Sequence, residues 1–138
     1  MADAALIARL VAALSSAEGV TAAYLFGSAA TGREHRQSDV DIAVRLDPGR
    51  YPTGAARFEA RLGLIGALQR AAGREVDLVI LNEAPPHLAR EIMTAGTRLL
   101  VADADEEFAH LRLTLSRAAD LAPFLRRARA VKLRAVAP

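Results

Sequence analysis

An α/β fold, a small mixed β-sheet flanked by helices, is predicted by three features of this 138-residue chain. Short aliphatic runs of strand length alternate with longer runs whose apolar residues recur every three or four positions. Glycine or proline punctuates most junctions. No repeat, linker or low-complexity segment interrupts the pattern, so residues 1–138 are read as one domain, ending in a basic helical tail from about residue 103.

The elements follow in the order α-β-β-α-β-α-β-α. Leu6, Leu10, Val11 and Leu14 form a helical stripe, with Gly19 as its expected C-terminal cap. Val20 to Phe26 and Val40 to Leu46 read as strands, and Asp47-Pro48-Gly49 as the turn after them. Phe58, Leu62, Ile65 and Leu68 lie at helical spacing, and Gly73 closes that helix. Gly63 and Gly66 weaken its intrinsic propensity, which predicts close packing against a neighbour. Glu75 to Leu81 is a third strand, with Val76, Leu78 and Ile80 on one face and Asp77 on the other.

Pro85-Pro86 pre-set a helix start, Leu88 and Ile92 supply its buried stripe, and Gly96 ends it before a short strand, Thr97 to Val101. The last helix starts near Asp103. Its expected stripe is Phe108, Leu111, Leu115, Ala118 and Ala122, with Pro123 expected to kink or divide it.

Composition excludes several classes. Hydrophobic residues make up 52% of the chain but aromatic ones only 4%, so the core is aliphatic. The absence of cysteine excludes disulfides and thiolate metal sites. The apolar run from Ala4 to Leu14 is short and carries Arg9, matching neither a signal peptide nor a membrane span, so a cytoplasmic location is expected. Net charge is +2, unevenly placed: residues 124–138 carry Arg126, Arg127, Arg129, Lys132 and Arg134 with no acid, leaving 13 basic against 16 acidic residues elsewhere. That asymmetry fits either an acidic partner at the tail or a solvated helix end.

The chemistry concentrates in residues 24–46. On the second strand Val40, Ile42, Val44 and Leu46 share one aliphatic face, while Asp39 and Asp41 share the other. Gly27-Ser28 directly follows a strand, where a turn can aim backbone N–H groups and a hydroxyl at an anion. A Gly-Ser pair or an Asp-x-Asp pair alone carries little information; together, ten residues apart and followed by Asp77 on a third strand, they carry much more. Three carboxylates beside a phosphate-binding turn suit two-magnesium nucleotidyl transfer. Asp39 and Asp41 would bridge the ions, and Asp77 would serve the ion that activates the nucleophile and accept its proton.

Leu25-Phe26-Gly27-Ser28, Ser38-Asp39-Val40-Asp41 and Val76-Asp77-Leu78-Val79 together resemble the polymerase-β superfamily of nucleotidyltransferases. Leu81-Asn82-Glu83-Ala84-Pro85-Pro86 and Gly96-Thr97-Arg98-Leu99-Leu100 are similar to its minimal, MNT-type members. The resemblance implies that superfamily's fold, Asp39, Asp41 and Asp77 as catalytic metal ligands for two Mg²⁺ ions, Gly27 and Ser28 as nucleotide-binding residues, and ATP as substrate. Members of this type pair as antitoxins with HEPN-domain ribonuclease toxins, which implies AMP transfer to a tyrosine of such a partner. One departure stands out. Where the family often reads Gly-Ser-Arg-Ala-Arg-Gly, this chain has Gly27-Ser28-Ala29-Ala30-Thr31-Gly32, leaving Arg33 and Arg36 as the nearby positive charges.

Two other functions stay open on the residues: an antitoxin that works by occlusion alone, and a nucleotidyltransferase acting on a small molecule or RNA. Assembly with a second copy or with the partner is compatible with either. Nucleic acid is not an expected partner, since Tyr24 and Tyr51 are too few for a stacking platform. His35 reads as a solvated loop residue, and His87 and His110 as structural ones without metal-ligand spacing. Ser28 has no histidine base at fixed spacing, which argues against a hydrolase.

Overall fold

The computed structural model describes residues 3–27 and 39–136, with side chains to residue 131. Among the described residues, four helices and four strands follow in the expected order: α1 (Ala4–Ser16), β1 (Val20–Phe26), β2 (Val40–Leu46), α2 (Gly54–Ala72), β3 (Val76–Ile80), α3 (Pro86–Ala95), β4 (Thr97–Val101) and α4 (Ala104–Val136). The strands form one mixed sheet in the order β3-β2-β1-β4. β1 runs antiparallel to β2 and β4, and β2 runs parallel to β3.

Helices cover both faces. On one, Leu6, Leu10 and Leu14 of α1 and Leu64, Leu68 and Ala72 of α2 pack against Val40, Ile42, Val44 and Leu46. All four of those β2 side chains are 0% exposed. On the other face Ala89, Ile92 and Met93 of α3, joined by Leu111 of α4, pack on Ala22, Tyr24 and Ala43. A register shift between Val20 and Ala22 lets Val20 join Ala23 and Leu25 on the first face while Ala22 and Tyr24 take the second.

Local signals placed most helix ends correctly. Asp3 caps α1 by accepting from Ala5 N, Gly73 closes α2 in the left-handed conformation at φ 72°, and Pro86 opens α3. Asp103 Oδ1 accepts from the N–H groups of Asp105 and Glu106, capping α4. Gly19 departs from its expected role. α1 stops at Ser16, and Gly19 instead makes a turn at φ 80° beneath Tyr51, where a Cβ would meet the ring at 2.5 Å.

Further expectations are corrected. Phe58 and Leu62 are 58% and 57% exposed, because α2 turns the stripe Leu64, Leu68 and Ala72 to the sheet instead. Gly63 does not mark close packing: a Cβ there would meet nothing within 4 Å, and one at Gly66 would touch only the Arg70 side chain of the same helix. On α4, Phe108 and Leu115 are 61% and 40% exposed and Glu107 and Thr114 are buried in their place, while Ala118 is buried as expected. The helix also continues through Pro123 without dividing. Pro123 lacks the N–H for one helical bond, yet the helix runs on from it to Val136.

Polar contacts explain the rotation of α4. The Tyr24 hydroxyl donates to Glu107 Oε1 at 2.5 Å, and Arg45 Nη1 donates to Glu106 Oε1 at 2.6 Å, so the sheet holds the acidic first turn of α4 rather than Phe108. Burial, the acceptor Glu107 and its charge all push the Tyr24 hydroxyl well up from its usual pKa. Burial also raises the Glu107 carboxyl, against the opposing hydrogen bond from Tyr24. His110 Nδ1 lies 3.9 Å from Glu107 Oε2, beyond hydrogen-bonding distance, and has no partner. Burial, then the charges of Arg45 and Arg117, lower the His110 pKa to about 4.

His110 is therefore neutral in the folded chain at pH values where an unfolded histidine already binds a proton. A group with a depressed folded pKa contributes stability that is present above about pH 6.5 and lost as pH falls toward about 4. The amount is up to about 3 kcal/mol, at roughly 1.4 kcal/mol per unit. Urea denaturation across this range is expected to show that loss in the native chain and a flatter profile in His110→Gln. Parallel profiles would refute the assignment.

Candidate active site

Parallel pairing brings two of the predicted acids together. Asp41 on β2 and Asp77 on β3 are register partners, flanked by the pairs Val40–Val76 and Ile42–Leu78. Partners in a sheet point to the same face, so the two carboxylates stand side by side on strands about 4.8 Å apart. Asp39 precedes β2 by one residue and is exposed, as is Asp77, whereas Asp41 is half-buried between them.

The register is pinned at both ends. Val40 N donates to Glu75 O at 2.9 Å, and Leu81 N donates to Val44 O at 2.8 Å. Just beyond, Asn82 grips the Leu46 backbone in both directions: its Oδ1 accepts from Leu46 N at 2.9 Å and its Nδ2 donates to Leu46 O at 2.8 Å. The sequence reading named Asn82 only within the segment similar to MNT-type proteins and gave it no role in holding the register.

Asp41 carries the electrostatic signature of the site. Its pKa is raised by partial burial, then by the charge of Asp77, then by that of Asp39. All three carboxylates thus act on one point. Among the described residues no three His, Cys, Asp or Glu side chains close into a ready-made metal site. What the acids provide is a set of hard oxygen donors whose mutual repulsion a divalent cation would relieve, and that chemistry fits Mg²⁺.

Gly27 completes the site in a way the sequence did not suggest. Phe26 pairs with Asp41 across β1 and β2, and the next residue, Gly27, turns out of the strand at φ 70°. A Cβ at Gly27 would stand 2.2 Å from Asp41 Oδ2. Glycine is needed there because the carboxylate occupies the space a side chain would fill. Ser28, Arg33, His35 and Arg36 lie outside the described residues. Of the other histidines, His87 is exposed, and His110 is half-buried beside Glu107 on α4.

Comparison with known proteins places this geometry. Residues 9–105 match the polymerase beta nucleotidyltransferase family, and the chain belongs to that family. Protein adenylyltransferase MntA of Shewanella oneidensis is 39% identical over 88 residues, which cover 61% of this chain and 56% of that protein. The chain spans about half the length of the curated relatives it matches. A crystal structure of a toxin-antitoxin with AMP-PNP superposes with a TM-score of 0.66 at 28% identity, covering 94% of this chain and 97% of that one. A complex of a tri-AMPylated Shewanella oneidensis HEPN toxin with its MNT antitoxin superposes with a TM-score of 0.60 at 25% identity, over 95% of each chain. No helix among the described residues is long and apolar enough to cross a membrane.

The contact at Gly27 predicts opposite outcomes for two glycines. Gly27→Ala is expected to displace Asp41 and destabilise the fold by about 1–2 kcal/mol, the usual cost of a left-handed non-glycine residue. Gly63→Ala, facing open space inside a helix, is expected to stabilise it by about 0.5–1 kcal/mol. Chemical denaturation of the two variants measures both, and equal effects would contradict the geometry.

Proposed function

We propose that this chain is a Mg²⁺-dependent nucleotidyltransferase that moves AMP from ATP to a tyrosine hydroxyl of a cognate HEPN-type toxin. The observation that carries the reading is the in-register pair Asp41–Asp77, with Asp39 acting on the same point and Gly27 leaving room for the Asp41 carboxylate. The named activity of the MntA relative and the AMPylated toxin in the similar complex support the choice of donor and acceptor.

Asp39, Asp41 and Asp77 would hold two Mg²⁺ ions, which would neutralise the triphosphate and polarise its phosphorus centre. In the transfer, the tyrosine oxygen bonds to the α-phosphorus as the bond to the departing pyrophosphate breaks. Asp77, exposed on edge strand β3, accepts the hydroxyl proton. Gly27, which follows β1, and Ser28, next in the sequence, would hold the triphosphate. The half-buried Asp41 is the acid whose charge is most costly alone, so it gains most from a neutralising cation.

Occlusion without chemistry is favoured by a different observation. The distal part of α4 exposes Phe124, Leu125 and Val131 beside Arg126, Arg127 and Arg129, a surface suited to binding an acidic partner.

Intact-mass spectrometry of the toxin after incubation with ATP and Mg²⁺ separates the two. The native chain is expected to add the mass of AMP. Asp41→Asn is expected to bind the toxin yet transfer at least about a hundredfold more slowly, because even indirect support of a metal site is worth 10–100-fold. Full neutralisation by the native chain without any mass change would establish occlusion instead.

The distal helix has its own test. If its arginines steer an acidic partner, truncation after Pro123 slows association at low salt. The difference vanishes once the screening length falls below about 10 Å, near 0.1 M salt and above. Association rates unaffected by truncation at every ionic strength would remove the steering role.

A further inference from the structure

A cleft of about 320 Å³ opens on the outer side of β3, away from β1 and β4, between α2 and the start of α3. Arg57, Phe58 and Arg61 of α2 form one wall, Leu78 and Val79 of β3 the floor, and Leu88 of α3 the far side. It takes nothing from Gly27, Asp39 or Asp41. We propose that this cleft is a second binding site, specific for a single carboxylate borne on an apolar group. The proposal is independent of the nucleotidyl-transfer reading.

The argument rests on Arg61. Its Nε–H is buried and has no hydrogen-bond partner. Among the described residues it forms no ion pair either. A guanidinium donor taken out of water without an acceptor is unfavourable, and folded proteins keep few such groups. Its neighbour one turn earlier is in the opposite condition. Arg57 Nε donates to Glu83 Oε1 at 2.9 Å and its Nη1 donates to Tyr51 O at 3.1 Å. Glu83 cancels one of the two arginine charges, leaving a single positive charge in the cleft, at Arg61.

That charge balance selects the ligand. One uncompensated guanidinium with a planar fork of donors matches one carboxylate, which it can hold by two parallel hydrogen bonds. A phosphate dianion would be left half-neutralised. The remaining lining is aliphatic or aromatic, and Phe58 is 58% exposed, with Leu62 next to it 57% exposed. Apolar walls around one oriented charged group are the usual composition of a small-ligand site, and the volume lies at the lower end of that range. Two sources share this chemistry: a free aryl or alkyl carboxylate, and an acidic residue beside an apolar one in a polypeptide.

The Arg61 Nε–H resonance in a nitrogen-15 NMR spectrum reads the site directly. Phenylacetate is expected to shift it saturably, and phenylacetamide, the same shape without charge, is expected to leave it unmoved. Inorganic phosphate is expected to bind more weakly than phenylacetate. Arg61→Gln, followed through the Leu88 methyl signals, is expected to weaken phenylacetate about tenfold or more. An acetylated Phe-Glu peptide amide distinguishes the sources: tighter binding than phenylacetate marks a polypeptide ligand, and weaker binding a free carboxylate. No saturable shift, an equal shift with the amide, or a preference for phosphate would overturn the proposal. The amide comparison uses the unaltered chain, so the result stands whatever the variant does to folding.

Discussion

The parallel pairing of β2 with β3 is the constraint on which the molecule depends. A one-residue slip would move Asp41 away from Asp77 and turn the aliphatic side chains of β3 out of the core. Two like charges in register cost roughly 1 kcal/mol or less. Against this stand Val40, Ile42, Val44 and Leu46, fully buried behind them, each contributing about 1.5–3 kcal/mol. The core therefore outweighs the repulsion several times over, and the backbone bonds at Glu75 and Leu81, with the Asn82 side chain, hold the register against it. Acids that would separate if free are kept adjacent by the hydrophobic effect acting on the opposite face.

The same division of labour recurs in the second layer. Tyr24 and Ala43 continue the acid-bearing face of the sheet inward, where α3 and α4 cover them. There the face changes from charged and solvated to buried, and its polar groups are paired: the Tyr24 hydroxyl with Glu107 and Arg45 with Glu106. These contacts anchor the long α4 at its first turn, while from Pro123 to Val131 it makes no buried contact. One sheet face thus bears the acids at one end and supports the helix that presents the basic surface at the other.

Much of this was legible in the chain itself. Period-two alternation on β2 separates Asp39 and Asp41 from the core, and capping residues such as Gly73, Pro86 and Asp103 mark the helix ends, because these signals act over a few neighbouring residues. The family resemblance carried by Gly27, Asp41 and Asp77 was likewise readable, since it rests on spacing. What the sequence could not supply was the rotation of α2 and α4. Both helices carry apolar residues on more than one side, so periodicity alone allowed Phe58, Leu62, Phe108 and Leu115 to be buried.

Tertiary structure decided those rotations, and with them everything that depends on contacts between distant residues. Leu64 and Leu68 won the core of α2 because they meet the sheet in the space left beside α1, and Phe58 and Leu62 were left outside. Glu107 is inside because Tyr24, 83 residues earlier, presents a hydroxyl to it. Gly27 is required because Asp41, on the adjacent strand, fills the space beside it. The sequence by itself determined the elements, their order and the spacing of the three acids, since each is written in local spacing. Which face each helix turns inward, and which arginine is left without a partner, depends on packing between elements far apart in the chain.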